Sequence, residues 1–174
     1  MVRTYSDQDL MKIAIEEHLR CSEYPRVGAV IAKDGEILST GYRGEIPRLH
    51  AERIAIEKLS QQLRTGATLY TTLEPCVNIH QDQEIASCAD LIIESGIQRV
   101  FIGVLDPNAA IYSQGFRKLL ESGVSVKFFS RKLREAVEEE TFEYGDVDRV
   151  IGSGSRRVPV IGSGISITIR FRSC

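Results

Sequence analysis

Apolar runs typical of β-strands alternate along this chain with segments of helical periodicity, and this alternation constrains the fold most. A buried run over residues 27–32 is joined to a second run over 37–42 by the turn sequence Asp34-Gly35. Further strand-like runs, each preceded by a helical segment, lie at 67–73, 99–105 and 124–129. Strands joined by a tight turn pair antiparallel, whereas strands separated by helices pair parallel. The sequence therefore predicts a mixed five-stranded sheet.

Helices are predicted on both faces of this sheet, which gives a three-layer α/β/α sandwich. Ser6 is the predicted N-cap of the first helix. The second helix is predicted over 49–64, and its inner stripe contains Lys58, whose stem would have to carry the ammonium outwards. The other members of that stripe are Ile54, Ala55, Leu59 and Leu63. Later helices are predicted over 88–95, 114–122 and 131–144.

Length and composition favour one compact, soluble domain. The chain has 174 residues, 43% of them hydrophobic, and no apolar run long enough to span a bilayer. The polar start, Met1 to Leu10, lacks a signal peptide's apolar core, so we expect a cytoplasmic protein without a membrane partner. The four cysteines are too sparse for a disulfide framework; we expect Cys21 to be buried and Cys174 to lie in a tail.

The last part of the chain differs in character from the rest. Every charged residue after Asp148 is an arginine, and the sequence Val-Ile-Gly-Ser-Gly occurs at 150–154 and again at 160–164. We expect one domain over residues 1–148 and a basic, Gly- and Ser-containing tail or added hairpin over 149–174. The first part is acidic, which makes non-specific binding to nucleic acid unfavourable.

Three short motifs carry the chemistry: His50-Ala51-Glu52, Pro75-Cys76 and Cys88. One imidazole and two thiolates predict a tetrahedral Zn²⁺ site whose fourth position is open to water, which zinc makes acidic enough to ionise near neutral pH. Glu52 is the predicted catalytic residue, because hydrolytic loss of a ring amine needs one group to carry protons to a ring nitrogen and to the leaving ammonia. This pattern is typical of zinc-dependent hydrolytic deaminases.

The spacing of these motifs adds a geometric condition. Residues two apart in mid-helix point to nearly opposite sides, so His50 and Glu52 converge only if the motif lies at the start of a helix, just after Pro47. A purely structural zinc site is the alternative, with His80 closing the fourth position. A catalytically silent zinc module that binds nucleotides is a second alternative, which the intact Glu52 disfavours.

These motifs resemble the cytidine deaminase superfamily over about residues 6–144. The resemblance is carried by Pro25 to Ile31, by Thr72-Leu73-Glu74-Pro75-Cys76, and by the segment from Cys88 to Val100. It implies a cytidine deaminase-like fold, a small-molecule substrate, zinc as the cofactor and a homodimer or larger assembly. Deaminases of the riboflavin pathway are the most similar branch, with deoxycytidylate and tRNA adenosine deaminases as relatives.

Two loops contain the candidate substrate contacts. Asp106-Pro107-Asn108 resembles a loop of the riboflavin-pathway enzymes, which implies that Asp106 and Asn108 contact a ribose; a plain turn is the alternative. The loop 77–87 contains His80, a candidate substrate contact, but lacks the Arg- and Pro-containing run with which those enzymes grip phosphate. The expected substrate is therefore an aminated pyrimidine nucleotide or ribosylaminopyrimidine. Cytosine nucleotides or nucleosides, and the substrate of a nucleotide-modifying, natural-product or defence pathway, are the alternatives.

Overall fold

The structure is a computed structural model that describes residues 3–22, 24–78, 85–108, 111–141, 157–159 and 166–168. The helices are α1 (Asp7–Leu19), α2 (Ala51–Glu57), α3 (Gln61–Arg64), α4 (Cys88–Glu94), α5 (Gln114–Glu121) and α6 (Arg131–Thr141). The strands are β1 (Gly28–Lys33), β2 (Glu36–Tyr42), β3 (Thr68–Leu73), β4 (Arg99–Val104), β5 (Ser125–Phe128), β6 (Arg157–Pro159) and β7 (Ser166–Thr168).

The first five strands form one mixed sheet in the order β2-β1-β3-β4-β5, as the sequence predicted. The strand β1 pairs antiparallel with both β2 and β3, whereas β3, β4 and β5 run parallel. Asp34 and Gly35 join β1 to β2 with positive φ angles of 52° and 80°, which is the conformation that an Asp-Gly hairpin turn requires. Every residue of β3 is buried, so the centre of the core lies on this strand.

Two glycines show that helices cover both faces of the sheet. Ala29 pairs with Gly41, so these two residues share a face and Gly28 belongs to the opposite one. A Cβ atom at Gly28 would collide with the backbone of α1, at the Ala14 carbonyl oxygen. A Cβ atom at Gly41 would lie 2.6 Å from the Ala51 carbonyl oxygen of α2. The predicted three-layer arrangement is therefore confirmed, and both helices approach the sheet more closely than a side chain permits.

The N-terminal helix begins as predicted. The Ser6 side chain accepts a hydrogen bond from the Asp9 backbone N–H, and the Asp9 carboxylate accepts one from the Ser6 backbone, which together form a capping box. Cys21 is buried at 4% exposure, as expected, and its thiol donates to the Val27 carbonyl oxygen.

The single helix predicted over 49–64 is wrong, because two short helices occupy this region. The helix α2 ends at Glu57, and a new helix starts after Ser60. Lys58 is the C-cap of α2, and its ammonium donates to the Thr40 carbonyl and to Glu45 Oε1, which explains a cation in the predicted inner stripe. Leu63 is 48% exposed because α3 does not continue the buried face of α2.

The chain divides into two compact units, residues 1–141 and 142–174. In the second unit, β6 and β7 pair antiparallel, with Val158 opposite Ile167. The assignment of a catalytic domain to residues 1–148 and of a tail or hairpin to 149–174 stays a prediction. Within the described residues, no helix has the length and apolar character needed to cross a membrane.

Candidate metal centre and active site

His50 occupies the N-cap position of α2, as the convergence of His50 and Glu52 requires. Its backbone is extended, with φ −81° and ψ 154°, and its side chain makes no capping hydrogen bond. The imidazole is therefore free to turn towards the sheet, while Glu52 lies in the first helical turn. His50 and Glu52 would point to nearly opposite sides if both were helical. Because the His50 backbone is still extended, both side chains can point to the same side at the start of α2.

The two cysteines approach His50 from different elements. Cys76 follows the end of β3, and Cys88 is the first residue of α4, whose N-cap Ser87 accepts a hydrogen bond from the Asp90 N–H. The Cys88 backbone N–H points at Cys76 Sγ, 3.4 Å away, and the Ala89 N–H donates to the Cys76 carbonyl. Two backbone N–H groups at the start of α4 are thus bonded to the sulfur atom and to the carbonyl oxygen of Cys76. These bonds hold the Cys76 and Cys88 sulfur atoms side by side.

The three ligand atoms have the separations that a zinc ion needs. His50 Nδ1 lies 3.4 Å from Cys76 Sγ and 3.5 Å from Cys88 Sγ, and all three atoms lie within 4.8 Å of one another. Tetrahedral zinc with ordinary Zn–N and Zn–S bond lengths would place such nitrogen and sulfur atoms about 3.6 Å apart. These three residues therefore fit zinc, and the part of the chain that the structure describes adds no fourth ligand to the group.

The site favours a thiolate. The pKa of the Cys76 thiol is lowered, first by its hydrogen bond with Cys88 and then by His50. The hydrogen bond with Cys76 and burial raise the pKa of the Cys88 thiol, so Cys76 is the first of the two sulfur atoms to lose its proton. Zinc binds cysteine as thiolate and histidine as neutral imidazole, so metal binding releases protons from this cluster.

Glu52 is buried at 3% exposure beside this cluster. The Thr71 hydroxyl lies 3.2 Å from Glu52 Oε1 and 3.1 Å from the Leu73 carbonyl, so it donates to one or the other. Burial raises the pKa of the Glu52 carboxyl. A carboxyl group with a raised pKa gains and loses a proton more readily near neutral pH than an exposed one does, which suits a residue that carries protons.

Two contacts hold the segment between the cysteines at its base. The Asn78 side chain donates to the Ile85 carbonyl, and Arg53 of α2 donates to the Ala86 carbonyl at 2.6 Å. Arg53 also pairs with Glu57 one turn later on the same helix. The helix that carries His50 and Glu52 is therefore bonded directly to the segment that leads into Cys88.

Glu74 is a buried acid that the sequence analysis did not single out. Its side chain is 2% exposed, and it accepts hydrogen bonds from the backbone N–H groups of Asp106, Ser113 and Phe116, each at 3.0 Å. The signal in the sequence that could have pointed to Glu74 is an acidic residue between a buried strand and Pro75-Cys76. Its partners lie 32 to 42 residues away in sequence, and no local pattern connects Glu74 with them.

The remaining candidate residues are placed as follows. Asp106 Oδ1 accepts a hydrogen bond from the Asn108 N–H, which forms a local turn, and both residues are half-buried. Burial raises the pKa of Asp106. The Asp106 N–H is bonded to Glu74, two residues before Cys76, so this loop lies near the metal centre. Contact of Asp106 and Asn108 with a ribose stays a prediction, and His80 lies outside the described residues.

Comparison with known proteins identifies the family. The model of the cytidine and deoxycytidylate deaminase zinc-binding region matches residues 4–104. The chain belongs to the cytidine and deoxycytidylate deaminase family. Within this family the matched region binds zinc, so the predicted cofactor is confirmed, as is the resemblance inferred from the motifs.

Riboflavin-pathway proteins are among the relatives of this family member. Riboflavin biosynthesis protein RibD of Actinobacillus pleuropneumoniae is 41% identical over 128 residues, which cover 71% of this chain and 33% of that protein. A diaminohydroxyphosphoribosylamino-pyrimidine deaminase of Schizosaccharomyces pombe is 35% identical over 149 residues, 79% of this chain and 36% of that protein.

A solved structure agrees with these sequence matches. The diaminohydroxyphosphoribosylaminopyrimidine deaminase/5-amino-6-(5-phosphoribosylamino)uracil reductase of Thermotoga maritima superimposes with a TM-score of 0.64 and 39% identity. The match covers 75% of this chain and 38% of that one. The cytidine deaminase-like fold is therefore confirmed, and this family member spans about a third of the length of these relatives.

Proposed function

We propose that this chain catalyses the zinc-dependent hydrolytic deamination of an aminated pyrimidine. His50, Cys76 and Cys88 hold the zinc ion, and Glu52 is the catalytic residue. The convergence of His50 Nδ1 with the two sulfur atoms, beside a buried carboxyl two residues further along, is the observation that carries the proposal. A purely structural zinc site has four protein ligands and needs no additional buried carboxyl beside them.

The chemistry divides between metal and protein. A zinc ion held by His50, Cys76 and Cys88 would make a water molecule acidic enough to serve as the nucleophile for the ring carbon that carries the amine. Glu52 takes one proton from the water and delivers it to the ring nitrogen. It then takes the second proton from the hydroxyl group left on the ring carbon and delivers it to the amine, which leaves as ammonia. One C–N bond breaks and one C–O bond forms, so the reaction needs no redox partner. Thr71 orients the Glu52 carboxyl from the neighbouring strand.

A ribosylaminopyrimidine phosphate is the first candidate substrate. Relatives that are 35% to 41% identical are named for riboflavin biosynthesis or for diaminohydroxyphosphoribosylaminopyrimidine deamination. Glu74 lies in the metal loop, residues 74–76, and accepts a hydrogen bond from the Asp106 N–H. This contact between the metal loop and the loop of Asp106 and Asn108 supports the proposal that these two residues contact the sugar. His80, in the loop between the cysteines, is the third proposed substrate contact.

A cytosine nucleotide is the second candidate, favoured by the sequence of the loop 77–87. That loop carries Asp82 and Glu84 and has neither arginine nor proline, so it offers few groups to neutralise a phosphate in the manner of the riboflavin-pathway enzymes. Arg43 and Arg48, on the segment that leads into His50, are cations that could serve instead.

Assembly and location belong to the same proposal. We propose a cytoplasmic homodimer or larger oligomer. This assembly is what the resemblance to the cytidine deaminase superfamily implies. Light scattering at micromolar concentration tests the assembly, and a strictly monomeric mass contradicts it.

Ammonia release from a substrate panel tests the function. The panel contains the diaminopyrimidine ribosyl phosphate, its dephosphorylated form, deoxycytidylate, cytidine and an adenine nucleotide. We expect turnover of a pyrimidine, which chelation abolishes and added zinc restores. Turnover of the ribosyl phosphate alone supports the first substrate, and turnover of cytosine nucleotides alone supports the second. Zinc-loaded protein that releases no ammonia from any compound supports a silent zinc module.

A further inference from the structure

We propose that Glu74 is a positioning residue that holds the loop of Asp106 and Asn108 against the metal loop and thereby sets the affinity for substrate. The inference rests on the proposed function, because the sugar contacts of Asp106 and Asn108 are part of it. It assigns a role to a buried carboxylate that neither binds zinc nor carries protons in the mechanism above.

The contacts of Glu74 show what it does. One carboxylate oxygen accepts from the N–H groups of Asp106 and Ser113, and the other accepts from the N–H of Phe116. All three bonds are 3.0 Å long, and the side chain is 2% exposed. Because the donors span the start of the loop, its end and the first turn of α5, one side chain closes the loop and joins it to the helix.

Glu74 also replaces the missing cap of α5. Ser113 is the N-cap of that helix, but its backbone is left-handed, with φ 59°, and its side chain makes no capping bond. A capping side chain ordinarily accepts from the second or third N–H of the helix. Here the third residue of α5, Phe116, donates to Glu74 instead. The positive end of the helix dipole stabilises the buried carboxylate in return.

The approach of α5 to the metal loop depends on a second residue as well. A Cβ atom at Gly115 would collide with the Pro75 carbonyl oxygen and would lie 3.3 Å from Glu74 Cγ. The backbone of α5 is therefore packed directly on the residue that precedes Cys76. A change at either Glu74 or Gly115 should move Asp106 and Asn108 relative to the metal without removing a metal ligand.

A carboxylate suits this place better than an amide. Two carboxylate oxygens offer about four acceptor sites and no donor, which matches three converging N–H groups. A glutamine keeps one oxygen and points an NH₂ group at one or two of those N–H groups, which have no acceptor left. Glu74→Gln is thus nearly isosteric and breaks the loop contact specifically.

Steady-state kinetics on the best substrate of the panel test the proposal. We expect Glu74→Gln to raise KM about tenfold to a hundredfold, since a displacement of about 1 Å in positioning groups has effects of this size. We expect kcat to fall less than about threefold and zinc to stay at about one per chain. Asp7→Asn is the matched control, because Asp7 accepts a hydrogen bond from Tyr70 at the start of α1, and we expect its KM to be unchanged.

The contrary outcomes are distinct. An unchanged KM in Glu74→Gln overturns the proposal, and so does a loss of zinc with an equal loss of kcat, which would make Glu74 a support of the metal site. If Glu74→Gln does not fold, Gly115→Ala should raise KM in the same way, and an unchanged KM in that variant overturns the proposal.

Amide hydrogen exchange of the wild-type protein tests the hydrogen bonds without substrate. The amides of Asp106, Ser113 and Phe116 should exchange far more slowly than exposed loop amides. Fast exchange of these amides contradicts the role of Glu74 and leaves the proposed function intact. A wild-type protein that deaminates nothing contradicts the proposed function instead.

Discussion

Replacing Glu52 by glutamine should stop the chemistry while leaving the structure in place. Glutamine has nearly the same volume, so no cavity forms at this buried position. Its carbonyl oxygen can accept a hydrogen bond from the Thr71 hydroxyl just as Glu52 Oε1 can. It cannot take up and release a proton, and Glu52 carries both proton transfers of the proposed reaction.

The size of the effect follows from that role. General acid–base catalysis contributes about 10²- to 10⁴-fold, and a residue responsible for two transfers belongs at the upper end. We therefore expect kcat to fall by about 10³- to 10⁴-fold, which corresponds to about 4–5.5 kcal/mol of activation free energy. The free energy of unfolding should stay within about 1 kcal/mol of the wild-type value, because the lost favourable interaction with the α2 dipole is offset by removal of a buried charge.

Three measurements on one preparation decide the outcome: ammonia release under saturating substrate, zinc content, and unfolding by urea. Glu16→Gln is the matched control, because Glu16 is exposed on α1 and the same chemical change there should leave all three unchanged. Turnover by Glu52→Gln within about threefold of wild type would refute the assignment of Glu52. Loss of zinc from this variant would make Glu52 a ligand or a support of the metal centre instead.

Further predictions concern the metal, the sheet and the response to pH. Cys88→Ala should lose most of its zinc as measured by metal analysis, and full retention would point to His80 as a ligand. Gly41→Ala should lower the free energy of unfolding by about 1–3 kcal/mol, because the new methyl group would lie 2.6 Å from the Ala51 carbonyl oxygen; a change below about 0.5 kcal/mol would contradict this contact. Burial lowers the pKa of His18 from 6.5 to about 4, so the unfolded chain binds a proton there that the folded chain does not. The associated stability is complete above pH 6.5 and is lost as the pH falls towards 4, by up to about 3 kcal/mol, and His18→Gln should flatten this part of the pH–stability curve.

The sheet and the metal centre could be predicted because their signals are local. Alternating strands and helices fix the pairing directions, and Pro47 before His50 indicated that the motif begins a helix. The break after Glu57 was missed because helical periodicity continues through Lys58 and Leu63, whereas the ion pair of Lys58 with Glu45 is formed across the structure.

The supporting residues of the site are the part that the sequence did not reveal. Thr71 contacts Glu52 only because β3 lies beside α2, and Glu74 contacts three N–H groups that come together only when α5 packs on Pro75. Such contacts depend on the register of distant elements, which periodicity does not encode. A buried acid next to a metal-binding motif is nevertheless a signal worth following in related chains.

Hydrolysis in ¹⁸O-labelled water tests the central claim most directly. The zinc-loaded protein is incubated with its best substrate in H₂¹⁸O, and the product is analysed by mass spectrometry while ammonia is measured in parallel. A site that uses His50, Cys76, Cys88 and Glu52 for hydrolytic deamination should place one ¹⁸O atom in the product for every ammonia released, and both signals should vanish on chelation and return with zinc. Ammonia release without ¹⁸O in the product, or equal release by the chelated protein, would contradict it.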